Sequence, residues 1–169
     1  GSQTDIAIRK QNDEKLIHDA RYDSLTGLYN RAALVEQLHR SIDHHHRHPD
    51  QLYAVLYLDL DHFKEVNDSR GHAAGDELLK NIAKKLAAIV RPTDLVTRLG
   101  GDEFVILLED IRDIKDATIV AERIQNEIEQ SLAQLLHHPT VTASIGLVLS
   151  QPAYKLPEEI LRDADIAMY

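Results

Sequence analysis

An apolar run, Tyr53-Ala54-Val55-Leu56-Tyr57-Leu58, passes at once into Asp59-Leu60-Asp61. An unbroken stretch of β-formers suits a central strand covered on both faces. That requirement commits the chain to a sheet with other elements packed against it. The following segments supply them. Phe63 to Arg70 reads as a short helix or turn, and Gly71-His72-Ala73-Ala74-Gly75 as a loop. A long amphipathic helix then carries Leu78, Leu79, Ile82, Ala83, Leu86, Ile89 and Val90, and Pro92 ends it. Leu95 to Leu99 and Phe104 to Leu108 flank Gly100-Gly101-Asp102-Glu103 and read as a β-hairpin. A helix from about Asp113 to Leu136 presents Ala117, Val120, Ile124, Ile128 and Leu132 on one face, and Thr140 to Leu149 is strand-like. Pro157 opens a last helix, expected to be still running at Tyr169. The order strand, helix, helix, strand, strand, helix, strand, helix predicts an α/β or α+β sheet with helices packed on it.

Upstream, residues 4 to 22 are polar and lack Gly and Pro. Ile6, Leu16, Ile17 and Ala20 are too few for a heptad seam. This stretch, assigned to residues 3–22, reads as an exposed lead-in signalling helix, either fraying or one strand of a short coiled coil. Gly1-Ser2 resembles a cloning scar, so the chain reads as an excised piece. Gly27 marks a turn. The next helix carries Ala32, Leu34, Val35 and Leu38 and is expected to give way to a loop at Asp43-His44-His45-His46-Arg47-His48-Pro49-Asp50. Such a loop can bind transition metals, but no partner at helical spacing completes a site, and a solvated loop is the preferred reading.

Composition narrows the chemistry. Nineteen Lys and Arg against 28 Asp and Glu leave a net charge of −9, which argues against a sequence-blind grip on nucleic acid. The absence of cysteine excludes disulfides, thiolate metal sites and thiol nucleophiles. No apolar run reaches the ~20 residues that span a bilayer. A cytoplasmic location is expected, free or as the cytoplasmic part of a membrane-anchored protein.

The acids are then the candidates. Asp59 and Asp61 leave the first strand, where alternation makes them candidates for one face with Leu60 on the other. Asp102 and Glu103 sit at the hairpin tip. If that strand lies beside the hairpin, the groups meet at one end of the sheet. Clustered carboxylates repel unless a cation intervenes, and oxygen ligands favour Mg²⁺ or Mn²⁺ over zinc. Carboxylate-bound metals beside phosphates suit phosphoryl or nucleotidyl transfer. Solvated acids at a strand end and in a turn are the alternative. Gly100-Gly101 permits backbone closed to other residues and lets a bulky ligand approach, or makes an ordinary tight turn.

Arg98-Leu99-Gly100-Gly101-Asp102-Glu103-Phe104 closely resembles the signature of the GGDEF family, the diguanylate cyclases. Asp23-Ser24-Leu25-Thr26-Gly27-Leu28-Tyr29-Asn30-Arg31 resembles the family's opening motif, and Asp59-Leu60-Asp61-His62-Phe63-Lys64 its metal and phosphate segment. Asn67-Asp68, Gly71-His72 and Gly75-Asp76 resemble the guanine-recognition stretch. Thr142 to Gly146 and Ala164 to Tyr169 match later blocks. The resemblance covers residues 23–169 as the catalytic domain. It implies an α+β sandwich: a central mixed, largely antiparallel sheet flanked by helices, similar to nucleotidyl cyclase and palm domains.

It also implies a bacterial signalling enzyme, a nucleotidyltransferase. Two GTP on two facing copies condense to cyclic di-GMP and two pyrophosphates, the 3′-hydroxyl of each attacking the α-phosphorus of the other. Asp59 and Asp102, with the Leu60 carbonyl, would hold two Mg²⁺ or Mn²⁺ per half-site. Glu103 would complete the metal site or assist deprotonation. Phe63 and Lys64 would meet the terminal phosphates, and Gly100 and Gly101 would leave room for the nucleotide. Asn67, His72 and Asp76 would serve the guanine, whose N1–H and 2-amino group suit a carboxylate. Arg91-Pro92-Thr93-Asp94 fits the family's Arg-x-x-Asp inhibitory product site, with Arg123 as a secondary arginine. Homodimerisation and an upstream sensor domain are implied. Two departures stand out. The Lys and Arg that usually follow the final Tyr are absent, which reads as a truncated end, and Arg70 sits where an aromatic is frequent. The alternative function is a catalytically silent module that binds GTP or cyclic di-GMP within a larger signalling protein. A template-binding polymerase palm is disfavoured by the negative charge.

Overall fold

The computed structural model describes residues 2–136 and 142–168. In chain order its elements are α1 (Ser2–Asp19), α2 (Arg31–Arg47), β1 (Leu52–Leu60), α3 (Phe63–Arg70), α4 (His72–Ile89), β2 (Leu95–Gly100), β3 (Glu103–Ile111), α5 (Ile114–Leu136), β4 (Ala143–Leu149) and α6 (Pro157–Ala167). The expected start of the last strand at Thr140 and Val141 lies outside the described residues, as does Tyr169.

The strands lie in the order β2-β3-β1-β4. All three ladders are antiparallel. The parallel component is one isolated bridge, Tyr29 to Thr97. β1 is interior, and Tyr53 to Leu58 are all buried. Alternation explains why the run is unbroken. Ala54, Leu56, Leu58 and Leu60 join Leu79, Ile82 and Leu86 of α4 and Ile124 and Ile128 of α5 in one core. Tyr53, Val55 and Tyr57 join Leu34, Leu38 and Ile42 of α2 and Ile160, Leu161 and Ala164 of α6 in another. The result is an α+β sandwich with helices on both faces.

Three local expectations are corrected. Residues 43–47 form the last turn of α2 rather than a loop. Basic side chains are favoured at a helix C-terminus, and the helix stops only at His48, which precedes Pro49 and is pushed out of helical geometry. His45 is buried. His72 to Gly75 open α4. A single residue, Gly71 at φ 88°, separates α3 from α4, because glycine reverses the chain without a longer loop. Finally, α6 closes at Ala167, with the Met168 N–H bonded to the Asp165 and Ile166 carbonyls.

Helix α1 carries no buried residue. Among the described residues, no helix is long and apolar enough to cross a membrane.

Gly146 of β4 shows how closely α6 approaches. A Cβ there would lie 2.0 Å from the Ala164 carbonyl oxygen and 2.7 Å from the Met168 nitrogen, both backbone atoms. Gly146→Ala must therefore push α6 off the sheet. A loss of about 2–3 kcal/mol is expected in urea unfolding, since overpacking that moves backbone costs this much. An unchanged urea midpoint would show that α6 yields freely.

Candidate active site

The β1–β3 ladder sets Asp59 directly opposite Glu103. Directly opposed side chains start about 5 Å apart, and like charges there destabilise a sheet. Asp59 shares the β1 face of Tyr53, Val55 and Tyr57, the face covered by α2 and α6. The hairpin then turns through Gly100 at φ 144° and Gly101 at φ 50°, conformations that favour glycine. Nothing lies within 4 Å of where a Cβ would stand on either, so the turn has an open side. It delivers Asp102 to Asp59.

The Asp59 carboxyl is pushed up to about 7, first by burial, then by a hydrogen bond with Asp102 and by the charges of Asp102 and Glu103. Its Oδ1 is buried without a hydrogen-bond partner. A buried carboxylate oxygen lacking a donor, beside two further carboxylates, fits a hard divalent cation. Among the described residues, however, no three such side chains already converge into a metal shell. Glu103 Oε2 accepts from the Tyr57 hydroxyl at 3.1 Å. Burial and then the Glu103 charge raise the Tyr57 phenol, so it remains a donor.

Asp61 does not share this site. β1 ends at Leu60, and the Asp61 carboxylate turns to β4, accepting from Thr142 Oγ1 at 2.6 Å and Ser144 Oγ at 2.8 Å. Alternation fails there because the strand has stopped. Leu60 is buried in the core opposite Ala143.

His62, at φ 64°, turns the chain from β1 into α3. Phe63 is buried at the start of α3, while Lys64 is exposed. Asn67 lies over Gly75, where a Cβ would come 1.9 Å from its Oδ1. The glycine thus makes room for the Asn67 amide at the start of α4, one residue from Asp76. Both His72 and Asp76 are exposed there.

Arg91, Asp94 and Arg123 line one cavity of about 320 Å³ between the end of α4 and α5. The Asp94 side chain is only 2% exposed. Its carboxylate accepts from the Arg91 backbone N–H at 3.0 Å, the Arg91 guanidinium at 3.4 Å and the Glu109 N–H at 3.0 Å. Arg91 also donates to the Glu109 carbonyl. Asp94 therefore braces Arg91 in this structure, while Arg123 stands exposed beside Glu127.

Two interactions were not foreseen. One is the Tyr57 tether, for which the signal is spacing: residue i−2 on a strand shares the face of Asp59. The other joins the opening motif to the signature. Arg98 donates to Asp23 Oδ1 at 2.9 Å and to the Gly101 carbonyl at 3.0 Å. Asp23 Oδ2 in turn accepts from the Thr26 N–H and hydroxyl. Both residues stand in recognised motifs, but only the fold shows that they touch.

A family model described as diguanylate cyclase, GGDEF domain, matches residues 20–169. The chain belongs to the GGDEF family. Diguanylate cyclase TpbB of Pseudomonas aeruginosa is 42% identical over 162 residues, 95% of this chain. The chain spans 37% of that relative's length. A solved structure of TpbB comprising only the GGDEF domain superposes with a TM-score of 0.74 at 39% identity, covering 88% of this chain and 86% of that one. The GGDEF domain of DgcB from Caulobacter crescentus, solved in complex with c-di-GMP, superposes at 0.78 with 27% identity, covering 89% and 88%. This GGDEF domain thus has the cyclase-like α+β architecture that its motif blocks imply.

Proposed function

We propose that this GGDEF domain is a metal-dependent diguanylate cyclase that condenses two GTP, one on each of two facing copies, into cyclic di-GMP and two pyrophosphates. The observation that carries the reading is the acidic cluster: Asp59 opposite Glu103 on adjoining strands, with Asp102 brought in by the glycine turn. Kinship with TpbB supports it.

Asp59, Asp102 and the Leu60 carbonyl would hold Mg²⁺ or Mn²⁺, two per half-site. When bound, such ions neutralise phosphate charge and acidify the attacking 3′-hydroxyl. Glu103 adds a further ligand or accepts that hydroxyl's proton. Asn67, His72 and Asp76 orient guanine at the α3–α4 junction, where groups left unpaired by adenine would discriminate against it. Phe63, through its backbone N–H, and Lys64 receive the outer phosphates as α3 begins. Gly100 and Gly101 keep the floor of the site open. Each copy holds one nucleotide, so relative orientation sets the rate. The exposed α1 (residues 3–22 being the lead-in) is suited to couple an upstream sensor to that orientation.

Arg91, oriented by Asp94 and accompanied by Arg123, forms a second nucleotide site at which the product inhibits. A guanidinium held in this way can grip a guanine edge or a phosphate with two hydrogen bonds. The c-di-GMP complex of the DgcB domain supports this reading.

The test is chromatography of the purified protein after incubation with GTP and Mg²⁺. Cyclic di-GMP is expected, and EDTA should stop its formation. Calorimetry should show cyclic di-GMP binding that Arg91→Ala weakens by about tenfold or more, the worth of a charged hydrogen bond. Binding without turnover, in a protein shown to dimerise, would overturn the cyclase reading and leave a regulatory module.

A further inference from the structure

Tyr57 is 7% exposed, and its ring is packed in the core shared with α2 and α6. Its hydroxyl bonds to Glu103 Oε2 at 3.1 Å. Among the described residues, no other side chain donates to that carboxylate. Tyr57 pairs with Val105 in the ladder, two positions from the Asp59–Glu103 pair, so phenol and carboxylate meet on the diagonal. On its other side Tyr57 faces Gly146, whose missing Cβ lets α6 close down. The ring therefore cannot swing.

Glu103 is differently placed. It has three free torsions, and both Asp59 and Asp102 repel it. Left alone, its carboxylate would turn outward to water. We propose that Tyr57 is a positioning residue whose core-anchored hydroxyl holds the Glu103 carboxylate beside Asp59. This inference rests on the cyclase reading only for its effect on turnover. The tether itself concerns the chain's own acids.

Tyr57→Phe preserves the ring and removes the tether. Melting, GTP kinetics and binding of Mn²⁺ alone should be measured for the wild type, Tyr57→Phe, Glu103→Gln and the double variant. Tyr57→Phe should melt within a few degrees of the wild type. Its kcat should fall about tenfold, as for a lost hydrogen bond to a charged group, with KM for GTP within about twofold. Mn²⁺ should bind several-fold more weakly, and this loss should vanish in the Glu103→Gln background, where the tethered charge is gone. A merely structural role would move melting and leave the Mn²⁺ cycle additive. Wild-type kcat and Mn²⁺ affinity in Tyr57→Phe would overturn the proposal, as would an equal Mn²⁺ loss in both backgrounds. If the wild type makes no cyclic di-GMP, the cyclase reading fails, and the Mn²⁺ cycle still decides the tether.

Discussion

If the domain is the proposed cyclase, Asp59→Asn should cut cyclic di-GMP formation by a factor on the order of 10³, since it would remove a charge that holds the metal at the reacting phosphates. The same change should make the metal-free domain harder to melt at pH 8. Burial first, and then its acidic neighbours, push the Asp59 carboxyl of the folded protein up to about 7 from 3.8. Below about pH 4 the carboxyl is protonated whether the chain is folded or not, and it costs the fold nothing. Between the two values the folded state keeps a proton that the unfolded chain has released. Stability therefore falls as pH rises toward 7, and the whole penalty remains above it. Asparagine carries no such penalty. The gain in melting temperature, measured in EDTA, should be largest above pH 7 and fade toward pH 4. A variant less stable than the wild type at pH 8 would mean that the acidic cluster is not strained. Saturating Mg²⁺ should narrow the gap, because at the proposed metal site a cation would stabilise the wild type more than the variant.

Arg98→Met should cost about 2 kcal/mol, somewhat less than breaking a fully buried ion pair by removing one partner, because this pair is only partly buried. The side chains of Arg98 and Asp23 are 13% and 16% exposed. Methionine fills much of the arginine's volume but leaves Asp23 Oδ1 and the Gly101 carbonyl without their donor. Asp23 would still hold the Thr26 turn through Oδ2. The damage should therefore reach the glycine turn and Asp102 as well as the opening loop. Turnover should fall even well below the melting temperature. Lysine should rescue poorly, because one ammonium lacks the planar fork that serves both acceptors. Urea unfolding and GTP turnover on Arg98→Met and Arg98→Lys would check this. Stability equal to the wild type would show that the bridge contributes nothing.

Much of this architecture can be read from residue patterns. The unbroken run at Tyr53–Leu58 announces an interior strand, and Gly100-Gly101 announces the hairpin beside it. The meeting of Asp59 with Asp102 follows once those two neighbours pair. What escaped depends on contacts between distant segments. Asp61 looks like a twin of Asp59 by alternation, yet Thr142 and Ser144, some 80 positions away, claim it. The histidines at 44–46 look like loop because Pro49 is near, yet a helix can run until the residue before a proline. Arg98 and Asp23 are separated by 75 positions, and nothing local reveals their bond. Tyr57 was visible as a core residue, but its hydroxyl mattered only after β3 had found its register.

Successive positions of β1 look to opposite sides, and this divides labour within a single strand. Ala54, Leu56 and Leu58 answer to α4 and α5; Tyr57 and Asp59 answer to the acids. A protein engineer could redesign the first set for heat tolerance while leaving the acidic cluster's own contacts alone.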